Sequence, residues 1–217
     1  MILVAFSNQP GVSSTTPSQA QAVVFGAGAS VTNFFYEASY QQTSLTGNVF
    51  GPYTISIGST GCDYYGIAMA AEQAATAAGV SLSSYTRRVY AFPSNGCGWW
   101  GLGTVGGYPS MAWINGSFQN GVVAHEMGHN LGLYHSHALE CGAATIAASC
   151  SSVDYGDILD VMGSAMPPKH FNAAQKERLG WLGYGASLSD HDRAVERCLH
   201  RSIPTSQWAR PRRPSRC

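Results

Sequence analysis

Charge is scarce in this sequence. Only 11 % of its 217 residues are Asp, Glu, Lys or Arg, against roughly 25 % in an ordinary soluble domain. Acidic and basic side chains number 12 each, so the formal net charge is zero. Nothing in that balance draws the chain as a whole towards nucleic acid or an anionic membrane. Its surface must be covered instead by Ser, Thr, Gly, Asn, Gln and Tyr, which is an extracellular style. Long apolar runs are also lacking. No stretch reaches the ~18 uninterrupted apolar residues that span a bilayer, and the Ala-rich run 66–79 is broken by Glu72 and Gln73. Met1–Phe6 is apolar but too short for a secretory leader and has no basic flank. A secreted form is therefore expected to carry its leader and any propeptide outside this sequence. No CxxC pair occurs, which argues against a structural zinc ribbon.

What the sequence does have begins with six cysteines, at 62, 97, 141, 150, 198 and 217. An even count in a low-charge chain fits disulfides formed in an oxidising compartment. Cys62–Cys97 and Cys141–Cys150 are the expected pairs; a set of free buried thiols is the alternative. The length suits one domain, expected over 1–185, with an appendage over 186–217. In that appendage fall Arg193, Arg197, Arg201, Arg210, Arg212, Arg213 and Arg216, whereas only three arginines precede it. So basic and proline-rich a segment buries little apolar surface and is expected to be disordered or foreign to the domain. A basic arm for an anionic partner is the other reading.

The pattern of the first 185 residues predicts a mixed α/β arrangement. Ile2–Phe6 reads as a buried strand, and 18–39 shows helical spacing with Val23, Val31, Phe34 and Phe35 as core candidates. A β-rich run follows at Tyr53–Ile57, then an Ala-rich helix over 64–78 ended by Gly79, then a strand over Arg88–Phe92 stopped by Pro93. Residues 96–108 read as irregular. Met111–Ile114 reads as an edge strand, 120–131 as a helix, 136–165 as mostly loop, and 172–179 as a last helix.

The chemistry is concentrated in residues 125–135. Here stand His125, Glu126, Met127, Gly128, His129, Asn130, Leu131, Gly132, Leu133, Tyr134 and His135. Two histidines four apart share one helix face, as joint capture of a metal ion requires. Glu126, beside the first of them, can point its carboxylate at the metal's open position and act as a general base. Gly132 can take the left-handed conformation that ends a helix, which lets His135 return as a third ligand. Three protein ligands with one open position is the pattern of a catalytic zinc ion. The bland reading, a helix with incidental histidines, requires five fixed residues over eleven positions to coincide. Some 27 residues after His135, Asp160-Val161-Met162-Gly163 places a methionine beside a glycine in a loop-rich stretch. In the metzincin peptidases, which the 125–135 motif resembles, a methionine in a tight turn forms an apolar floor under the ligands, and Met162 suits that role; a plain core methionine is the alternative.

The motif resembles that of the metzincin peptidases, and the flanks narrow the resemblance to the gametolysin family, the lytic metalloendopeptidases of volvocine algae and their relatives. The similar stretches are 125–135, Tyr155-Gly156-Asp157 running into Asp160–Gly163, Phe171-Asn172-Ala173-Ala174-Gln175 and Leu179-Gly180-Trp181-Leu182. Upstream they are Asn33–Glu37, Ser39-Tyr40 and Gly96–Gly103. The likeness covers roughly residues 1 to 184. It implies a metzincin-like zincin fold: a mixed twisted sheet, an active-site helix carrying HExxH, a Met-turn and a C-terminal helix. It also implies one Zn2+ held by His125, His129 and His135, with Glu126 as catalytic base. A secreted, monomeric endopeptidase is expected, acting on protein or peptide substrates such as cell-wall glycoproteins. Ser164 departs from the tyrosine that some metzincins place there to stabilise the oxyanion; Tyr134 and Tyr155 are the substitutes to consider. Residues 106–115 stand where metzincins carry the edge strand that pairs with substrate. Asp157 and Asp160 could orient a ligand imidazole or simply form turns. The rival reading is a catalytically inactive zinc-binding module on the same fold, which the intact Glu126 disfavours. A hydrolase of non-peptide bonds and an Arg-rich nucleic-acid binder are weaker rivals.

Overall fold

The computed structural model describes residues 1–164, 166 and 169–182. The chain divides into two units, Met1–Asn172 and Ala173–Cys217. The first holds a five-stranded sheet ordered β2-β1-β3-β5-β4. Its strands are β1 (Ile2–Ala5), β2 (Phe50–Thr54), β3 (Arg87–Phe92), β4 (Gly101–Gly103) and β5 (Ser110–Asn115). β1 pairs in parallel with β2 and β3, β3 pairs in parallel with β5, and β4 runs antiparallel to β5. The arrangement is thus mixed α/β, as the pattern predicts.

β1 reads as an unbroken apolar run because it is buried on both faces. Ile2, Val4 and Phe6 join Tyr90, Phe92 and Trp113 in a cluster with Ile67, Ala68, Ala71 and Ala75 of helix α3 (Tyr64–Ala77). The small Ala side chains let that helix lie close on the sheet. Asp63 caps it by accepting from the Gly66 N–H at 2.9 Å. The indole N–H of Trp113 donates to the Tyr64 carbonyl at 2.7 Å, so this large ring is buried without an orphan donor.

The stretch 18–39, read as one helix, is two: α1 (Pro17–Phe25) and α2 (Val31–Ala38). Its periodicity runs through Gly26-Ala27-Gly28-Ala29, where the chain leaves the helical region. Thr16 and Gln19 form a capping box at the start of α1 with Pro17 in its first turn. Ser30 restarts the chain as α2 by accepting from the Asn33 N–H at 3.1 Å. Val31 and Phe35 are buried as expected, whereas Val23 and Phe34 are only partly so.

A second correction concerns the sheet's edge. Met111–Ile114 lies in β5, which is interior; the edge is β4, inside the stretch that reads as irregular. Three residues with two glycines carry almost no strand signal, so the pairing comes from tertiary context. Buried Asn115 ties the preceding loop down. Its amide donates to the carbonyls of Cys97 (3.1 Å) and Trp99 (2.8 Å), and its oxygen accepts from the Asn95 N–H at 3.0 Å. The disulfide Cys62–Cys97 fastens the same loop next to the start of α3.

Among the described residues beyond helix α4 (Asn120–Asn130), most are loop, and β6 (Ala138–Glu140) and β7 (Ser151–Val153) form a hairpin. The second expected disulfide, Cys141–Cys150, closes that hairpin. In the second unit, α5 (Ala173–Arg178) ends where the Trp181 N–H donates to the Lys176 carbonyl at 2.9 Å and Gly180 takes φ +75°. The expected tail, 186–217, lies outside the described residues.

Candidate metal centre and cleft

α4 is central to the first unit: every residue from Gly121 to Asn130 is buried. A buried helix that carries two imidazoles and a carboxylate must give each polar group a partner. His125 lies one turn before His129, and their rings sit 4.8 Å apart between centroids. Nδ1 of His125 lies 2.7 Å from the carbonyl of Val161. Nδ1 of His129 lies 2.8 Å from the carbonyl of Leu133. A carbonyl only accepts, so Nδ1 carries the proton in both rings and Nε2 keeps its lone pair.

Gly132 sets the second of these contacts. It takes φ +94°, its N–H donates to the His129 carbonyl at 2.8 Å, and the Leu133 N–H donates to the Gly128 carbonyl at 3.1 Å. This is a Schellman end, for which glycine is suited because it lacks a Cβ. The reversal seats Leu133 in the core, turns its carbonyl to His129 and sends His135 back over the helix. His135 comes to 5.4 Å from His125 and 5.0 Å from His129, ring centroid to ring centroid. One ligand atom from each of the three lies within 4.8 Å of the others. Two nitrogens each about 2.0–2.1 Å from a tetrahedral zinc ion lie about 3.4 Å apart. The donor set suits a metal, and the widest pair must close by at most about 1.4 Å, within the reach of small side-chain rotations.

His135 is held differently from the other two. Its Nδ1 donates to Asp154, at 3.1 Å from Oδ1, and the same oxygen lies 2.9 Å from Nε2 of His137. Desolvation raises the pKa of Asp154, but the neighbouring His135 and His137 outweigh it and hold the group below its ordinary value. The Tyr155 ring packs on His135 with centroids 3.8 Å apart. Burial first, then the charges of Asp154 and Glu126, push the Tyr155 phenol up, so it stays protonated.

Glu126 opens into a cleft of ≈ 460 Å³ lined also by Trp99, Trp100, His125, Tyr155 and Ser164. Burial raises its pKa from 4.5 to about 8. Burial lowers that of His125 from 6.5 to about 4 and also depresses His129. Above Glu126 lies β4. Strand alternation sends Leu102 into the α3 cluster and leaves Gly101 and Gly103 facing α4. A Cβ at Gly101 would lie 2.6 Å from Cδ of Glu126, and one at Gly103 would lie 2.7 Å from its main-chain oxygen. Asn130 ties the other end of α4 to the sheet, donating to the carbonyls of Thr104 (3.1 Å) and Met111 (2.7 Å).

Met162 is fully buried in the turn 161–163, and a Cβ at Gly128 would run into its sulfur. Asp160 shapes that turn. Its carboxylate accepts from the Met162 N–H at 2.6 Å and from the Asn172 N–H at 2.7 Å. Asp157 accepts from the Leu159 N–H at 3.0 Å. Both aspartates are turn residues, the second of the two readings offered for them. The carboxylate on a ligand-candidate imidazole is Asp154, which the sequence reading passed over. Both Tyr134 and Tyr155 are exposed, and Tyr155 lines the cleft.

The family comparison agrees with this geometry. The fold is mixed α/β, and the histidine cluster could hold a metal ion. Residues 1–192 match the family model described as gametolysin peptidase M11, and the chain belongs to that family. Membership supports a peptidase, and one of metallopeptidase type. A search of curated proteins finds no match. Two disulfides fit an extracellular protein, and among the described residues no helix is long and apolar enough to cross a membrane.

Proposed function

We propose that the chain is a secreted zinc-dependent endopeptidase of the metzincin type, cleaving peptide bonds in extracellular matrix or cell-wall proteins. The observation that carries this reading is the convergence of His125, His129 and His135, with His125 and the buried carboxylate of Glu126 lining one cleft. The helix α4 is then the HExxH helix, and the turn 161–163 with Met162 packed on Gly128 is the Met-turn. The domain is taken as 1–185.

The three imidazoles would hold zinc through Nε2. When bound, the ion supplies Lewis acidity towards the scissile carbonyl and acidifies water at its open position. The chain's own residues do the rest. Glu126 takes a proton from the attacking water and passes it to the leaving amine. Its side chain is buried, and the bare backbone of Gly101 and Gly103 lies close against it. No covalent acyl-enzyme is needed.

The test is hydrolysis of a generic unfolded protein by the full chain, with and without a zinc chelator, beside Glu126→Ala. Cleavage that the chelator stops and the variant lacks is the expected result. Cleavage by Glu126→Ala at the parent rate would refute the assignment. A folded, zinc-loaded chain without activity would favour the inactive binding module.

A further inference from the structure

His125 and His129 are fixed by main-chain carbonyls of the helix end and the turn beneath them. His135 has no such anchor in its own loop. It is fixed by a side chain 19 residues away, Asp154, whose Oδ1 lies 3.1 Å from its Nδ1. The same Oδ1 accepts from the Tyr155 N–H at 3.1 Å, which locks the carboxylate's rotamer, and Tyr155 packs on the imidazole face. Asp154 and Tyr155 directly follow β7, and His137 directly precedes β6. Three residue pairs, Ala138–Val153, Leu139–Ser152 and Glu140–Ser151, join the two strands. A hairpin this short is marginal on its own, and Cys141–Cys150 closes it.

We propose that Asp154 is a positioning residue for the metal site and that the disulfide-closed hairpin is the device that delivers it to His135. Its carboxylate fixes the Nδ1–H tautomer and the ring plane, so that Nε2 of His135 faces the other two imidazoles. Carboxylate partners of ligand imidazoles in general set affinity in this way. The inference rests on His135 being a ligand, as proposed above.

The experiment measures zinc affinity of the full 217-residue chain by chelator competition near neutral pH, with circular dichroism on every variant. Asp154→Ala should bind zinc about 10–100-fold more weakly with an unchanged spectrum. Asp154→Asn, whose amide oxygen can still accept from Nδ1–H, should recover most of that loss, which a role in hairpin structure alone does not predict. Cys141→Ser/Cys150→Ser should weaken zinc in the same direction, and adding Asp154→Ala to it should cost less than the two losses together. Asp154→Ala within twofold of the parent, while His135→Ala is strongly weakened, overturns this inference alone. Full affinity in the double Ser variant overturns the role given to the disulfide. His135→Ala binding as tightly as the parent overturns the ligand assignment beneath both.

Discussion

Replacing Gly101 by Ala separates the fold of this protein from its chemistry. The new Cβ would stand 2.6 Å from Cδ and 2.7 Å from Cγ of Glu126. Carbon atoms pack at about 3.5–4.0 Å, so the carboxylate must retreat by roughly 1 Å. It is the far end of a flexible side chain and can do so at little cost to the fold. Gly101 also lies outside the left-handed region, so Ala adds no backbone strain and lowers the entropy of the unfolded chain. A misplacement of about 1 Å at a reacting group costs on the order of 100-fold in rate, equivalent to about 2.7 kcal/mol of barrier. The expectation is kcat lowered about 100-fold, with KM, zinc content and melting temperature near those of the parent. The assay is steady-state cleavage of a quenched peptide, with zinc stoichiometry and thermal melts alongside. A kcat within threefold of the parent in a zinc-loaded variant would show that Gly101 does not hold the carboxylate. A melting temperature that falls together with kcat would mean that β4 had moved and not the side chain.

Gly103→Ala should behave in the opposite way, because its Cβ meets atoms that cannot swing aside: the Glu126 main-chain oxygen at 2.7 Å and the root of the His129 side chain, its Cβ, at 2.9 Å. Overpacking of this kind costs about 1–3 kcal/mol, so urea unfolding should shift to lower denaturant, and an unshifted midpoint would contradict the packing. Gly132→Ala has open space around its Cβ but a φ of +94°; strain of about 1–2 kcal/mol is expected, with zinc affinity lowered because His135 leaves from this turn. Chelated, metal-free protein should lose stability as pH rises above 6.5. Glu126 has its folded pKa raised from 4.5 to about 8, so its contribution is complete below 4.5 and lost as pH climbs through 8. His125, depressed from 6.5 to about 4, contributes fully above 6.5 and loses that contribution as pH falls through 4. The two slopes oppose one another between 4.5 and 6.5, leaving Glu126 alone to cost about 2 kcal/mol from pH 6.5 to 8. Thermal melts of chelated parent and Glu126→Gln across that range check the sign, since the variant should melt alike at both ends.

Much of the site was legible in the sequence because its logic is local. The spacing of His125 and His129 is helical, Gly132 has one conformational use at a helix end, and both elements appear where their residues place them. The long apolar strand β1 and the Ala-rich α3 were legible for the same reason. What escaped depends on contacts between distant segments. β4 is three residues, two of them glycine, and only its pairing with β5 and the clamp of Asn115 make it a strand. Its Gly-Leu-Gly alternation was the available signal, since a strand with a bare face must lie against something. Asp154 escaped because a hairpin brings it to His135, and Asp157 and Asp160 stood nearer the conspicuous methionine. The split of 18–39 into two helices was hidden by apolar periodicity that continues across Gly26 and Gly28.

The loop 93–100 has a consequence for how this cleft can change. Its fastenings are the disulfide to Cys62 and the amide of Asn115, which lie on the side of α3 and the sheet. The imidazoles depend on α4, Leu133, Val161 and the hairpin. The wall that carries Trp99 and Trp100 and the floor that carries the histidines thus have separate fastenings. Residues on that wall can be exchanged to alter which side chains the cleft accepts, while the metal-facing machinery keeps its own supports.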